Sequence, residues 1–344
     1  MKRIVLIIAW FAIVLQLGCT DTQPYSNSGI AYTSGETVSV IESLTREHVR
    51  DLISVRNWPN RFSAGLHLYT EHYEIFTTML DLPVLRRLPG FVESAYSAYN
   101  EHLPIPIIPG IRSSIYLFKD RYQWESFTRD FAGNQAALFI KIQQGAYCLK
   151  GCCVVYDIGF KRTFAAIGHE GWHQFTAKHF KYRLPSWLDE GIAMQFESPK
   201  RINGKLCFEP YENHYRLGSL AQIIQQHNSI SLNTLISISP GEVMASDQAE
   251  SVMAFYSQSY ALVRFLQEAQ AQKYLRGYQA MVYDGLCGRW PLCRKNKRIA
   301  EDRNRLRTIR WNSKVGKKIF THYINPEPET IEQEYLDFCQ CIAD

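Results

Sequence analysis

Between residues 82 and 102 the apolar positions Leu85, Leu88, Phe91, Val92, Ala95 and Ala98 return at helical spacing. Pro104 stands just beyond them, so the pattern predicts one helix over Leu82–His102. Upstream, Leu66–Tyr69 and His72–Phe76 are short, aromatic-rich strand segments, and Ser114–Phe118 and Cys153–Tyr156 read as buried strands. A short helix is expected over Trp124–Phe131. After residue 163 the pattern is mostly helical, and there is no internal repeat and no Pro/Gly-rich linker after residue 45. Strands and helices first, then helices, predict an α+β fold: an α/β half over about 46–162 with a mixed sheet, packed on a helical half over 163–344.

The amino-terminal pattern is different. Lys2 and Arg3 precede an apolar run from Ile4 to Leu17, broken at Gln16. The run is short for a bilayer span and has the charge and apolar order of a secretory signal over residues 1–18. Leu15-Gln16-Leu17-Gly18-Cys19 resembles a bacterial lipobox, in which the cysteine is lipidated, although Gln16 replaces the usual aliphatic residue. The alternative is ordinary cleavage between Gly18 and Thr20. The resemblance implies an exported lipoprotein anchored through Cys19 and facing the periplasm or cell exterior, with residues 19–45 as a polar tether.

In an exported chain the remaining eight cysteines favour disulfides. Cys287 and Cys293 flank a turn containing Gly288 and Pro291. A second metal site at Cys148, Cys152 and Cys153 lacks a fourth ligand at zinc-ribbon spacing. The net charge of +5 gives no case for a nucleic-acid partner. Eleven Lys/Arg between Arg294 and Lys318 face only Glu301 and Asp302. They read as a solvated helix face with Leu306 and Ile309 turned inward, in preference to a lipid-headgroup contact.

The chemistry sits in Thr163–Phe175, which contains His169-Glu170-Gly171-Trp172-His173. In a helix the two histidines lie one turn apart and can grip one ion, with Phe164, Trp172 and Phe175 on the other side. That arrangement predicts a helix with one buried face and one face open to a cleft. Seventeen residues on, Glu190 stands in Leu184-Pro-Ser-Trp-Leu-Asp-Glu190-Gly-Ile-Ala. Ser186 is the expected N-cap of a second helix, with Asp189 as its reciprocal partner. A connection around Lys181–Leu184 lets Glu190 reach the ion as third ligand. Two neutral imidazoles and a carboxylate suit Zn2+ with one open position. Glu170, beside the histidines but not a ligand, is placed to take a proton from the zinc's water.

The segments HEGWH and WLDEGIA resemble the gluzincins. They are similar to the bacterial "peptidase MA-like" exported proteins and, more distantly, to the aminopeptidase N family. The likeness spans roughly residues 60–270 and implies a zincin-type metallopeptidase domain. It implies His169, His173 and Glu190 as ligands, and Glu170 as the base that also passes the proton to the leaving amine. In Phe255-Tyr256-Ser-Gln-Ser-Tyr260, Tyr256 takes the place of the family's oxyanion donor, with Tyr260 as competitor; Gln258 and Ser259 replace the family's Lys and Gly. The Gly-x-Met-Glu-Asn motif that gathers a free amine is absent, so an aminopeptidase is not implied. Met194 replaces the Asp that orients a ligand histidine, which leaves Glu197 and Asp189 for that task. The family's edge strand falls near Gly145–Tyr156, placing Cys148, Cys152 and Cys153 near the groove. His179 reads as a surface residue.

The expected activity is hydrolysis of a peptide or protein substrate. The alternatives are a zinc amidase acting on another amide, and a silent lipid-anchored binding protein on the same scaffold. Retention of Glu170, which binds no metal, counts against the silent reading.

Overall fold

The computed structural model describes residues 35–107, 110–142, 145–202, 205–245, 249–302 and 311–344. The expected signal segment, Cys19, Leu306 and Ile309 lie outside them. Among the described residues no helix is long and apolar enough to cross a membrane.

The fold is α+β, with a six-stranded mixed sheet in the amino-terminal half and helices in the carboxy-terminal half. The strands are β1 (Ser54–Asn57), β2 (Leu66–Tyr69), β3 (Tyr73–Thr77), β4 (Ser113–Phe118), β5 (Ala146–Leu149) and β6 (Cys152–Tyr156). Their order is β1-β2-β3-β4-β6-β5. The pairs β3–β4 and β4–β6 are parallel, while β5 runs antiparallel along the outer side of β6. Edge position and reversed direction are what set β5 over the site described below.

The first helix, α1 (Gly35–Arg46), buries Thr37, Val40 and Leu44. Residues 35–45 are therefore packed structure and not tether, because their apolar side chains recur at helical spacing. The helix expected over Leu82–His102 is interrupted. A turn at Leu82–Leu85 precedes α2 (Leu88–Glu101), and each starts with a proline in its first turn, where the missing N–H costs nothing. The next helix, α3 (Arg121–Ala132), lies on one face of the sheet, with Phe127 against Tyr116 and Phe118 and Trp124 against Tyr147 and Tyr156. On the opposite face lies α4 (Phe160–His179), packed on β5 and β6 and flanked by α2.

After α4 come α5 (Ser186–Ala193), α6 (His214–Gln225), α7 (Ala249–Gln272), α8 (Leu275–Cys287), α9 (Arg294–Glu301), α10 (Lys317–Tyr323) and α11 (Glu332–Ala343). Regular backbone in α7 stops before Ala269. The central helix α7 packs against α5, α6 and α11, and its residues from Ala254 to Leu266 are all buried. The helical half is broken by one hairpin, β7 (Pro199–Ile202) with β8 (Lys205–Phe208), which periodicity did not announce.

None of the eight cysteines is bridged, which overturns the expected disulfides. The geometry explains much of it. Adjacent Cys152 and Cys153 on β6 point to opposite faces of the sheet. Cys339 and Cys341 are two residues apart on α11 and diverge.

Candidate metal centre

Helix α4 carries His169, Glu170 and His173, and α5 carries Glu190. Two glycines allow the close packing that brings their neighbours in. A Cβ at Gly168 would sit 2.3 Å from the Phe196 carbonyl oxygen, and one at Gly191 would sit 2.4 Å from that of Ser259. The first approach draws Glu197 over α4, and the second draws α7, with Tyr256, onto α5. Trp172, Phe164 and Phe175 pack against the aromatic residues of α2 and Phe196, as the amphipathic pattern requires.

The other face of α4 is not open. His169 is 3% exposed, Glu170 1%, His173 0% and Glu190 1%, so the expected cleft-facing side is covered by β5, α5 and the chain around Glu197. His169 Nε2 lies 3.2 Å from His173 Nε2 and 3.2 Å from Glu190 Oε2, and His173 Nε2 lies 3.7 Å from the same oxygen. No hydrogen-bond donor reaches Glu190 Oε2.

These are three lone-pair donors aimed at one point. Tetrahedral zinc with bonds of about 2.0–2.2 Å sets its ligand atoms roughly 3.4 Å apart. The donor set fits the ion in type and in spacing.

An outer partner fixes the tautomer of His169. A carboxylate only accepts, so His169 Nδ1–H donates to Glu197 Oε1 at 2.9 Å and Nε2 keeps its lone pair. Glu197 is itself held by Arg216, through Nε at 2.8 Å and Nη2 at 2.6 Å, and by Asn213 Nδ2 at 2.9 Å. On the second histidine, Asp189 Oδ2 stands 3.3 Å from His173 Nδ1, while Asp189 Oδ1 accepts from Trp172 Nε1 at 2.9 Å. Glu197 thus bonds a candidate ligand histidine where Met194 cannot, while Asp189 stands near the other without a hydrogen bond to its Nδ1. Asp189 does not cap α5. The N-cap is Pro185, and the Ser186 N–H donates to Asn312 Oδ1 at 2.8 Å, so tertiary contact replaces the local box.

Four carboxylates, Glu170, Asp189, Glu190 and Glu197, lie in a buried space, where Arg216 pairs with Glu197 and Arg183 stands near Asp189. Burial disfavours imidazolium at His169, yet Glu190 and Glu197 outweigh it and lift the ring to about 9. Basicity of this kind marks a strong lone-pair donor, for which a proton and a dication compete. Burial pushes Glu170 up to about 7; the histidines and the Cys148 backbone N–H oppose the rise and Glu190 adds to it. The Cys148 bond comes from edge strand β5 and leaves Glu170 Oε2 without a partner.

Tyr256 is 2% exposed. Burial holds its phenol well above the ordinary range, with Glu190 and Glu170 adding and Arg216 opposing, so it keeps its proton. Tyr260 is removed from the competition because its hydroxyl donates to the Pro210 carbonyl. Strand register puts Cys148 and Cys153 on the sheet face that meets α4 and Cys152 on the opposite face. Burial and the nearby Glu170 hold the Cys153 thiol well above its usual range, so it is no thiolate ligand. His179 is half-buried against Phe175, not a free surface residue.

The sequence reading did not single out Arg216, Asn213 or the Cys148 N–H. Nothing local marks them, since each reaches the centre by tertiary packing. A family model described as "Protein of unknown function (DUF1570)" matches residues 163–283, a segment that holds His169, Glu170, His173, Glu190, Glu197, Arg216 and Tyr256. No curated protein and no solved structure matches the chain. The comparison that does match thus marks out the segment bearing the candidate centre, and attaches no activity to it.

Proposed function

We propose that the chain is a zinc-dependent hydrolase, a peptidase of the gluzincin type on a zincin-type scaffold, exported and lipid-anchored through Cys19. The observation that carries the proposal is the convergence of His169 Nε2, His173 Nε2 and Glu190 Oε2 within 3.2–3.7 Å, with no hydrogen-bond donor at that oxygen. Held there, zinc would act as a Lewis acid toward a carbonyl and raise the acidity of a water.

The chain's own residues supply the rest. Glu170 Oε2, buried and unpartnered, accepts the proton of the attacking water. The same carboxyl then returns it to the leaving amine. Its other oxygen is steadied by the Cys148 N–H, so β5 fixes where the proton is held. Tyr256, kept protonated by burial, donates a hydrogen bond to the oxygen on which charge develops. Glu197 holds the His169 imidazole in the tautomer that leaves Nε2 free to ligate, and Asp189 Oδ2 stands 3.3 Å from His173 Nδ1.

Burial of all four chemical groups favours a second reading, a silent binding protein in which the ion is structural. One experiment separates the two. The zinc-loaded chain and its Glu170→Gln variant are incubated with a mixed peptide library, and products are identified by mass spectrometry. Cleavage by the wild type that falls about 10²–10⁴-fold in the variant supports the peptidase. Equal product from both, or none from either, would leave the silent reading standing.

A further inference from the structure

A second feature adjoins the centre and is not absorbed by the proposed chemistry. Where α2, the first turns of α4, the β7–β8 hairpin and the start of α6 meet, they frame an open cavity of about 690 Å3. That size falls within the span of small-molecule sites, about 300–1,000 Å3. None of the three ligands, Glu170 or Tyr256 lines it.

Its wall is apolar, built from Phe91, Phe164 and Leu206 with the rings of Phe160 and Tyr215. Phe160 is 40% exposed and Tyr215 44%, which is unusual for large rings in a chain that buries most of its own. Its rim is cationic. Arg50, Arg86 and Lys200 are matched by Asp51, Glu47 and the pair Glu209 and Glu212. Arg87 and Lys161 are not: among the described residues Arg87 packs its guanidinium 5.1 Å over Phe160, and Lys161 meets no carboxylate within ion-pair reach. Glu197, the acidic group at the inner end, is committed to Arg216 and His169. An apolar wall under two unmatched cations complements one chemistry, an acidic head on an apolar body.

We infer that this cavity binds an anionic amphiphile, its carboxylate or phosphate seated between Arg87 and Lys161 and its apolar body against Phe91, Phe164 and Leu206. Binding is independent of the proposed hydrolysis.

The test is calorimetric titration of the purified full chain with decanoate and with decyl phosphate. Decanol and decyltrimethylammonium serve as controls. Both anions are expected to bind, and whichever binds tighter identifies the head group. Decanol and the cation should bind at least about 10-fold more weakly. Arg87→Glu combined with Lys161→Glu should weaken anion binding at least about 10-fold, while zinc content and melting temperature stay at wild-type values. Both side chains are exposed, so folding should survive. Should the double variant lose stability, Lys161→Gln alone should still weaken binding measurably. Equal binding of decanol and decanoate, or undiminished anion binding in the folded variants, would overturn the inference.

Discussion

The candidate metal centre and the cavity beside it are opposites that share two residues, Glu197 and Asn213. The centre is closed and acidic, with four carboxylates and two imidazoles in one buried space, and its candidate ligands are at most 3% exposed. The cavity is open, walled by rings and rimmed with cations. Glu197 belongs to both, bonding His169 on one side and lining the cavity on the other. Charge in the closed region has nowhere to be screened, so each partner there carries weight. Charge on the open rim is solvated and costs little to change.

That contrast orders the expected effects. The largest belongs to the ligands: His169→Ala or His173→Ala should abolish stoichiometric zinc, measured by elemental analysis after gel filtration. Retention of about one zinc per chain would dissolve the distinction between the regions. Next comes Arg216→Ala, which strands Glu197 in a buried site. A loss of about 3–5 kcal/mol is expected from denaturant unfolding. A change under about 1 kcal/mol would mean that the Glu197–Arg216 pair does not brace the centre. Glu197→Gln should weaken zinc affinity about 10–100-fold, read by competition with a chelating dye. Tyr256→Phe should keep zinc and fold and lower turnover roughly 10²-fold, the scale of one oxyanion donor. Smallest is the rim: Lys161→Glu should shift stability by no more than about 0.5 kcal/mol.

The two regions also differ in how far they could be read from the chain. Ligand spacing within α4 and the nearby Glu190 are local facts, set by helical periodicity and a short connection. Glu197 and Asp189 were within reach because they flank the third ligand. Arg216 and Asn213 were not, because α6 is delivered to the centre by packing on α7. Ser186 shows the same limit in reverse: a sound local capping signal lost to Asn312 from far along the chain. The cavity was illegible for the same reason, since its wall is drawn from four elements with no common pattern. The α+β division was legible, whereas the hairpin β7–β8 was too short to betray itself.

The central claim is that Glu190 binds the metal and Glu170 does not. Zinc content and affinity of the wild type, Glu170→Gln and Glu190→Gln, prepared and titrated in parallel, test it most directly. The account predicts about one zinc in the wild type, near-normal binding in Glu170→Gln, and clearly weakened binding in Glu190→Gln. No zinc in the wild type after refolding with the metal, or loss in Glu170→Gln with retention in Glu190→Gln, would contradict it.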